Sequence, residues 1–577
     1  MKNMKVTRRQ AIKGFVQASA ALAAADTVIA SLVSSQSRLA YAQANDFSSF
    51  FHLGLPGAPP RWMFDLFLNP TNEASRFVAS PMLATRYASV ASGPYIAGQF
   101  QQVRHAASGL YVPRLWSLSV PRPGGGLRPA SELLSRLLSI RGIDSLSAAH
   151  GGAQEFHQVA VTGSISLSSV TADRAPRSKE NPALNLLRAT WLNPGPNALF
   201  RSSKGYSSFR HDIRSGASNE LSAMFSGVRP VGPESGFTNQ FINNLGQLKS
   251  LISNAFAAQS PSTSIYHKSL LDNSDSALKI LTDSAVTTFS ALSSDWSQLY
   301  DKYDNLIKTT LQQTYPGLND KPVGRTATTD EERQTYQFGN GIYAQTLNAE
   351  GTAVDLRRML GDVDSSRLAA QFAVMEFMVK NGICPSINVN LAPFDNIRVN
   401  NSLVPMPFDQ HFVGVMPGVL LNSMYYLSLT ACLLALMDAM GTKLNDSLIY
   451  LGSEFNRSAR INGSGSDHGA QAASVSLLSG RQSGFKLVGN ILKDSAGEGS
   501  PYASGYKGTW GFGAPVGGEA LSIVQVWGSV LHLLGVPLSE IPNAVNKERL
   551  LFSSSGSLAL KSPFDAAPIN VVNASKT

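Results

Sequence analysis

The chain has 577 residues, 43% of them apolar and 15% charged, with a formal net charge of +9. That balance excludes a disordered or low-complexity protein, and the length exceeds one small domain. More than half of the positive excess lies before Ala42, where Lys2, Lys5, Arg8, Arg9, Lys13 and Arg38 face only Asp26. No basic stripe interleaved with aromatics follows, so no nucleic-acid partner is expected.

The first 42 residues have the parts of an export signal in order. Thr7-Arg8-Arg9-Gln10-Ala11-Ile12-Lys13 is similar to the twin-arginine motif, with Ala11 where an aromatic is usual. An apolar run from Gly14 to Val33 follows, and Ala40-Tyr41-Ala42 fits an A-x-A cleavage site. The expected partner is therefore the twin-arginine export machinery, and the expected location periplasmic or otherwise exported by that pathway. That route carries proteins already folded, often with a metal or cofactor in place. The cysteines Cys384 and Cys432 have no metal or redox spacing; a bridge and two buried thiols both fit the sequence.

In the mature chain, Phe50 to Leu55 reads as the first strand, broken by Pro56-Gly57-Ala58-Pro59-Pro60. Leucines at 133, 134, 137 and 138 predict a helix over 130–140, and the alternation from Val159 to Leu167 predicts a strand. From Asn219 to Gln313 apolar residues recur at helical spacing, which suggests an inserted helical subdomain serving packing. Asp364 or Ser365 should cap a helix carrying Leu368, Phe372, Met375 and Val379, stopped by Asn381-Gly382. Ile387, Val389 and Leu391 alternate as a strand.

Val413 to Met437 holds no charge and could span a bilayer by length. Pro417, Gly418, Asn422, Ser423, Ser428 and Thr430 punctuate it, so a helix buried against a sheet is the expectation, with no stable membrane span in the mature chain. Ser447 to Leu451 has the pattern of a buried strand, Ala520 to Leu534 that of an apolar helix, and the tail after Ser553 should be poorly ordered. This alternation predicts an α/β core made of residues 43–215 and 331–577, interrupted by a helical insertion at 216–330.

Chemistry-bearing residues concentrate late in the chain. Asp409-Gln410-His411 and Asp467-His468 each pair an acid with an imidazole past a strand, and Glu454 lies between them. Carboxylate and imidazole drawn from separate strands suit a divalent ion such as zinc. Asp409, His411, Glu454, Asp467 and His468 are thus the candidate ligands, with Asp395 a rival to Asp409. Arg457 and Arg460 could grip a phosphate or sulfate, or neutralise the nearby acids. His150, in a Gly-rich turn, reads first as a satisfied polar turn residue. A P-loop, a dinucleotide fingerprint, H-E-x-x-H and G-x-S-x-G are all absent.

Ser453-Glu454-Phe455-Asn456-Arg457, then Arg460-Ile461-Asn462-Gly463 and Asp467-His468-Gly469, resembles the S-E-F-G-R…N-G…D-H-G signature of an exported bacterial family, domain of unknown function fifteen-oh-one. That family belongs to the alkaline-phosphatase/sulfatase superfamily. Phe408-Asp409-Gln410-His411 is similar to its F-D-T-H; Arg141-Gly142, His150 and Thr162-Gly163 to its R-G…H…T-G; and Leu533 to Pro537 to its closing L-G-x-P. The resemblance covers most of the mature chain outside the insertion. It implies a three-layer α/β sandwich around a mostly parallel sheet, one or two divalent metals at the sheet's carboxyl edge, and cleavage of phosphate or sulfate esters. The alternative is a non-catalytic envelope protein on the same fold, binding a ligand, a glycan or a partner.

Two departures accompany the resemblance. Asn456 replaces the family's glycine, and Leu53 to Pro60 holds neither the acid nor the hydroxyl nucleophile expected after the first strand. Asp65 is the nearest acid and Thr71 the nearest hydroxyl. Asp65, Arg457 and Arg460 are therefore the only catalytic candidates.

Overall fold

The computed structural model describes residues 47–68, 102–174, 187–189, 211–213, 297–313, 363–380, 386–394, 397–399, 402–404, 408–411, 413–459, 465–469, 472–492, 512–514 and 521–561. The expected export signal, most of the helical insertion, Thr71, Cys384, Asp395, Arg460 and the residues after 561 lie outside them.

A nine-stranded sheet organises the described chain. In sequence order its strands are β1 (Ser49–Leu55), β2 (Leu137–Asp144), β3 (Leu187–Ala189), β4 (His211–Ile213), β5 (Ser386–Asn390), β6 (Ser447–Ser453), β7 (Ala473–Leu478), β8 (Lys486–Val488) and β9 (Leu521–Ser522). Across the sheet the order is β8-β2-β7-β6-β1-β5-β3-β4, with β9 also paired to β2. Every pairing is parallel except those of β7 with β6 and β2, so β7 alone runs against the rest. The sheet is mixed and mostly parallel, and the fold is α/β.

The period-2 alternation of the strands divides their side chains between two cores. Phe51, Leu53, Leu55, Ile387, Val389, Ile449 and Leu451 join one cluster. It also holds a helix at 297–312 (α3), α4 (Ser366–Lys380) and α5 (Val415–Met440), the helices at 150–156 and 167–174 being α1 (His150–Phe156) and α2 (Leu167–Arg174). Phe50, Leu448, Tyr450, Val475 and Leu477 turn the other way, onto a cluster with residues of α2 and α6 (Ile523–Leu533). Helices on both faces are compatible with a three-layer sandwich.

Two helix starts carry local caps, while the expected Asn381-Gly382 stop lies outside the described residues. The carboxylate of Asp364 accepts from the Ser366 amide at 3.0 Å at the start of α4, and the Ser522 hydroxyl caps α6. Helix α5 is long and apolar enough to cross a membrane, but its apolar window is wholly buried within the protein. Cys432, on α5, is a buried free thiol whose pKa burial pushes well up.

Three local expectations differ from the structure. Residues 130–136 form a 3₁₀ helix, and 137–144 form β2 rather than a helix. Pairing of Leu137 to Ile140 with β7 outweighs the leucine spacing. Residues 159–166 form turns, with Gly163 at φ +86°, not a strand, before Gln158 receives the first turn of α2 through Ser168. Past Ser553 the chain continues as a hairpin, Phe552–Ser554 against Ser557–Leu560, because Phe552 and Leu558 are buried in the second core.

The last helix of the expected insertion is anchored in the first core by Leu299, Tyr303, Leu306 and Ile307. The buried carboxylate of Glu376 on α4 receives the Tyr303 hydroxyl at 2.6 Å, Lys380 at 2.9 Å and Lys302.

Candidate metal centre

Because β1, β2, β5 and β6 are parallel, their carboxyl ends share one edge of the sheet, the edge where ligands bind in open α/β folds. Beyond β6 the chain runs through Glu454 and Phe455 into a hairpin, Asn456–Ala459 against Ser466–Gly469. Its register sets Arg457 opposite His468 and Ser458 opposite Asp467. The segment 408–411 lies against this hairpin: the Gln410 carbonyl accepts the Ser466 amide at 3.1 Å and its hydroxyl at 2.9 Å. Residues after β2 complete the rim, with the Ala148 carbonyl accepting His468 Nδ1 at 2.7 Å and His150 opening α1.

Asp409 is the hub. Its carboxylate lies 3.4 Å from His150 Nε2, 3.3 Å from His411 Nε2 and 3.5 Å from His468 Nε2, and it is ion-paired to Arg457. Ligand atoms of His150, Asp409 and His468 all lie within 4.8 Å of one another, a group that could hold a metal ion. Behind these residues stand two more acids. Glu454, 4% exposed, takes His150 Nδ1, and Asp467 takes His411 Nδ1 at 3.1 Å. Phe455 packs beneath the rings of His150 and His468, at 5.1 and 4.3 Å between centroids.

All five sequence-derived ligand candidates thus meet at one rim, but not in equal positions. Asp409, His411 and His468 face the centre, whereas Glu454 and Asp467 each orient a histidine. His150, expected to be a turn residue, is instead part of the centre. It was legible only through the R-G…H resemblance, since a histidine one loop past a strand announces no ligand by itself.

The electrostatics suit cation binding. Hydrogen bonds to Asp409 and Glu454 push the His150 imidazole up to about 9, so without a metal it is a cation between two carboxylates. Half-burial would raise Asp409, but His150 and Arg457 hold its carboxyl far below the usual carboxylate range. Burial and then Arg457 lower His468 and favour its neutral, ligating form.

The tautomers carry a sharper constraint. The Ala148 carbonyl only accepts, and the Asp467 carboxylate accepts, so His468 Nδ1 and His411 Nδ1 are both donors. In neutral rings both Nε2 atoms then present lone pairs, and they face each other at 2.8 Å. Two lone pairs at that distance repel unless a proton or a cation lies between them. An acceptor behind each ligating imidazole is the usual support of a metal-bound histidine.

Of the catalytic candidates, Arg457 is fully buried and its guanidinium is already engaged. It donates to the Ala58 carbonyl at 2.6 Å, to Gly57 at 2.9 Å and to Ser466 at 3.4 Å besides holding Asp409. It is therefore a structural cation, not an open clamp for an ester. Asp65 is buried, paired with Arg61 and bonded by the Ser474 hydroxyl at 2.6 Å; burial raises its pKa. Its carboxylate bonds Arg61 and Ser474, not the histidines. After β1, the backbone carbonyls of Gly57 and Ala58 bind Arg457, and Gly57, at φ +80°, lies against the Asp409 amide. Asn456, where the resembled motif has glycine, donates to the Ala472 carbonyl at 2.9 Å.

No family model, curated protein or solved structure matches this chain.

Proposed function

We propose that this protein is an exported, metal-dependent hydrolase of phosphate or sulfate esters, built like the alkaline-phosphatase/sulfatase superfamily, with its metal held by His150, Asp409, His411 and His468. The observation that carries this reading is the pair of Nε2 atoms facing each other at 2.8 Å, each ring's other nitrogen committed to an acceptor. The mixed imidazole and carboxylate donors favour zinc among common divalent ions. When bound, such an ion supplies Lewis-acid polarisation of an ester oxygen and acidifies a water molecule.

The chain's own residues supply the rest. Asp467 and the Ala148 carbonyl fix the tautomers of His411 and His468. Arg457 keeps Asp409 ionised, and Glu454 orients His150. The twin-arginine signal suits a protein that acquires its metal before export.

A second reading, a non-catalytic envelope protein binding a ligand or glycan, is favoured by one observation. The turn after β1 offers backbone carbonyls and Arg457 where a nucleophilic hydroxyl would stand. Elemental analysis of the purified protein, with turnover of chromogenic phosphate and sulfate esters, separates the readings. Stoichiometric metal with turnover lost in His468→Ala supports the hydrolase, and metal without turnover supports the binding protein. Protein that takes up no divalent metal sinks both the centre and the hydrolase.

A further inference from the structure

Between Asp409 and His411 stands Gln410, which points away from the rim and is 1% exposed. Its amide meets that of Asn422, a fully buried residue of the apolar helix α5. The two bond reciprocally: Gln410 Nε2 donates to Asn422 Oδ1 at 3.0 Å, and Asn422 Nδ2 donates to Gln410 Oε1 at 2.7 Å. Asn422 also donates to the Gly418 carbonyl at 2.7 Å, one turn earlier on α5. Gln410 then reaches the other side of the centre through its carbonyl, which takes both bonds from Ser466, the neighbour of Asp467.

We infer that the Gln410–Asn422 amide pair is a positioning device for the metal centre, fixing Asp409 and His411 at the spacing at which they bind a divalent ion. A primary amide buried in an apolar helix is costly if its bonds are unmade, and a leucine there would pack without that risk. An apolar contact lets a loop slide, whereas two antiparallel amide bonds define both distance and orientation. The loop so fixed carries two donors, and the hairpin fixed through Ser466 carries His468 and the partner of His411. Metal sites depend on support of this kind, and losing such a partner typically lowers affinity about 10- to 100-fold.

This inference rests on the metal centre proposed above, and its test separates the two. Zinc affinity is measured by competition with a chromophoric chelator, and the visible spectrum of the cobalt(II) form is recorded. The variants are the double replacement Gln410→Met with Asn422→Leu and the exchange Gln410→Asn with Asn422→Gln. The double replacement leaves no orphaned amide, so it should fold, bind zinc about 10- to 100-fold more weakly and show a changed cobalt spectrum. The exchange keeps an amide pair and should recover part of the affinity. A folded double variant with wild-type affinity and spectrum overturns the positioning role while leaving the centre intact. Wild-type protein that binds neither ion overturns both. If the double variant does not fold, Asn422→Ser, which shortens the bridge, must still weaken zinc binding several-fold, and unchanged affinity there overturns the inference.

Discussion

Arg457 holds the carboxylate of Asp409 from beneath the rim while its remaining N–H groups bind the carbonyls of Gly57, Ala58 and Ser466. One buried cation thereby ties the hub of the centre to the turn after β1 and to the hairpin after β6. Removing it leaves three backbone carbonyls short of a donor, while Asp409, 43% exposed and also facing His150, keeps part of its compensation, so the cost is about 1–3 kcal/mol. Arg457→Met should therefore lower unfolding stability by roughly that amount, read from urea denaturation. Arg457→Lys should lose much of it too, since an ammonium cannot reproduce the forked geometry. If Arg457→Lys kept full stability and impaired only ester binding, Arg457 would be a substrate clamp after all.

The centre predicts an order of effects on zinc affinity. His468→Ala and Asp409→Ala each remove a group that faces the others across less than 4.8 Å and should cost the most, at least about 100-fold. Asp467→Asn and Glu454→Gln remove only the acceptor behind His411 or His150 and should cost about 10- to 100-fold. The reverse order in a competition titration, with Asp467 or Glu454 dominant, would show that those carboxylates bind the ion directly.

Arg61 and Asp65 form a buried pair at 2% and 0% side-chain exposure, and several of their polar atoms have no hydrogen-bond partner. Such pairs are expensive to desolvate, and apolar replacements of similar volume are often neutral or stabilising. Arg61→Ala should destabilise the protein by about 3–5 kcal/mol, whereas Arg61→Met with Asp65→Leu should come close to wild type. The double variant should also bind zinc normally. Loss of metal or of turnover in that folded variant would return Asp65 to the catalytic candidates.

How much of this was readable from sequence depended on where the information resides. The strands β1, β5 and β6 are short apolar runs bounded by turn residues, and their two-sided burial writes itself into the chain. The candidate ligands could be gathered because Asp409-x-His411 and Asp467-His468 pair unlike donors within two residues. What sequence could not settle was direction. Glu454 and Asp467 have the chemistry of ligands, and only their placement behind His150 and His411 makes them supports. The misread segment 137–144 failed for a related reason: Leu133, Leu134, Leu137 and Leu138 fit a helix until β7 offers Leu137 to Ile140 a ladder of partners.

Buried neutral histidines set the last expectation. His52, on β1, bonds Asn388 at 2.8 Å, and His157, at the end of α1, bonds the Tyr450 hydroxyl of β6 at 2.6 Å. Burial, chiefly, lowers His52 from 6.5 to about 3 and His157 to about 4, with Arg61 adding to the effect on His157. Each is neutral in the folded protein at a pH where it is protonated in the unfolded chain. The unfolded state thus binds more protons below pH 6.5, so stability rises with pH through that window and falls as the solution is acidified. At about 1.4 kcal/mol per unit of displacement, the two together are worth several kcal/mol by pH 4. Urea midpoints should decline steadily from pH 6.5 to 4.5, before most carboxylates begin to protonate. His157→Gln should flatten that decline relative to wild type, and the comparison cancels the groups the two proteins share. Parallel pH profiles for the two would mean that His157 does not titrate as a buried neutral ring.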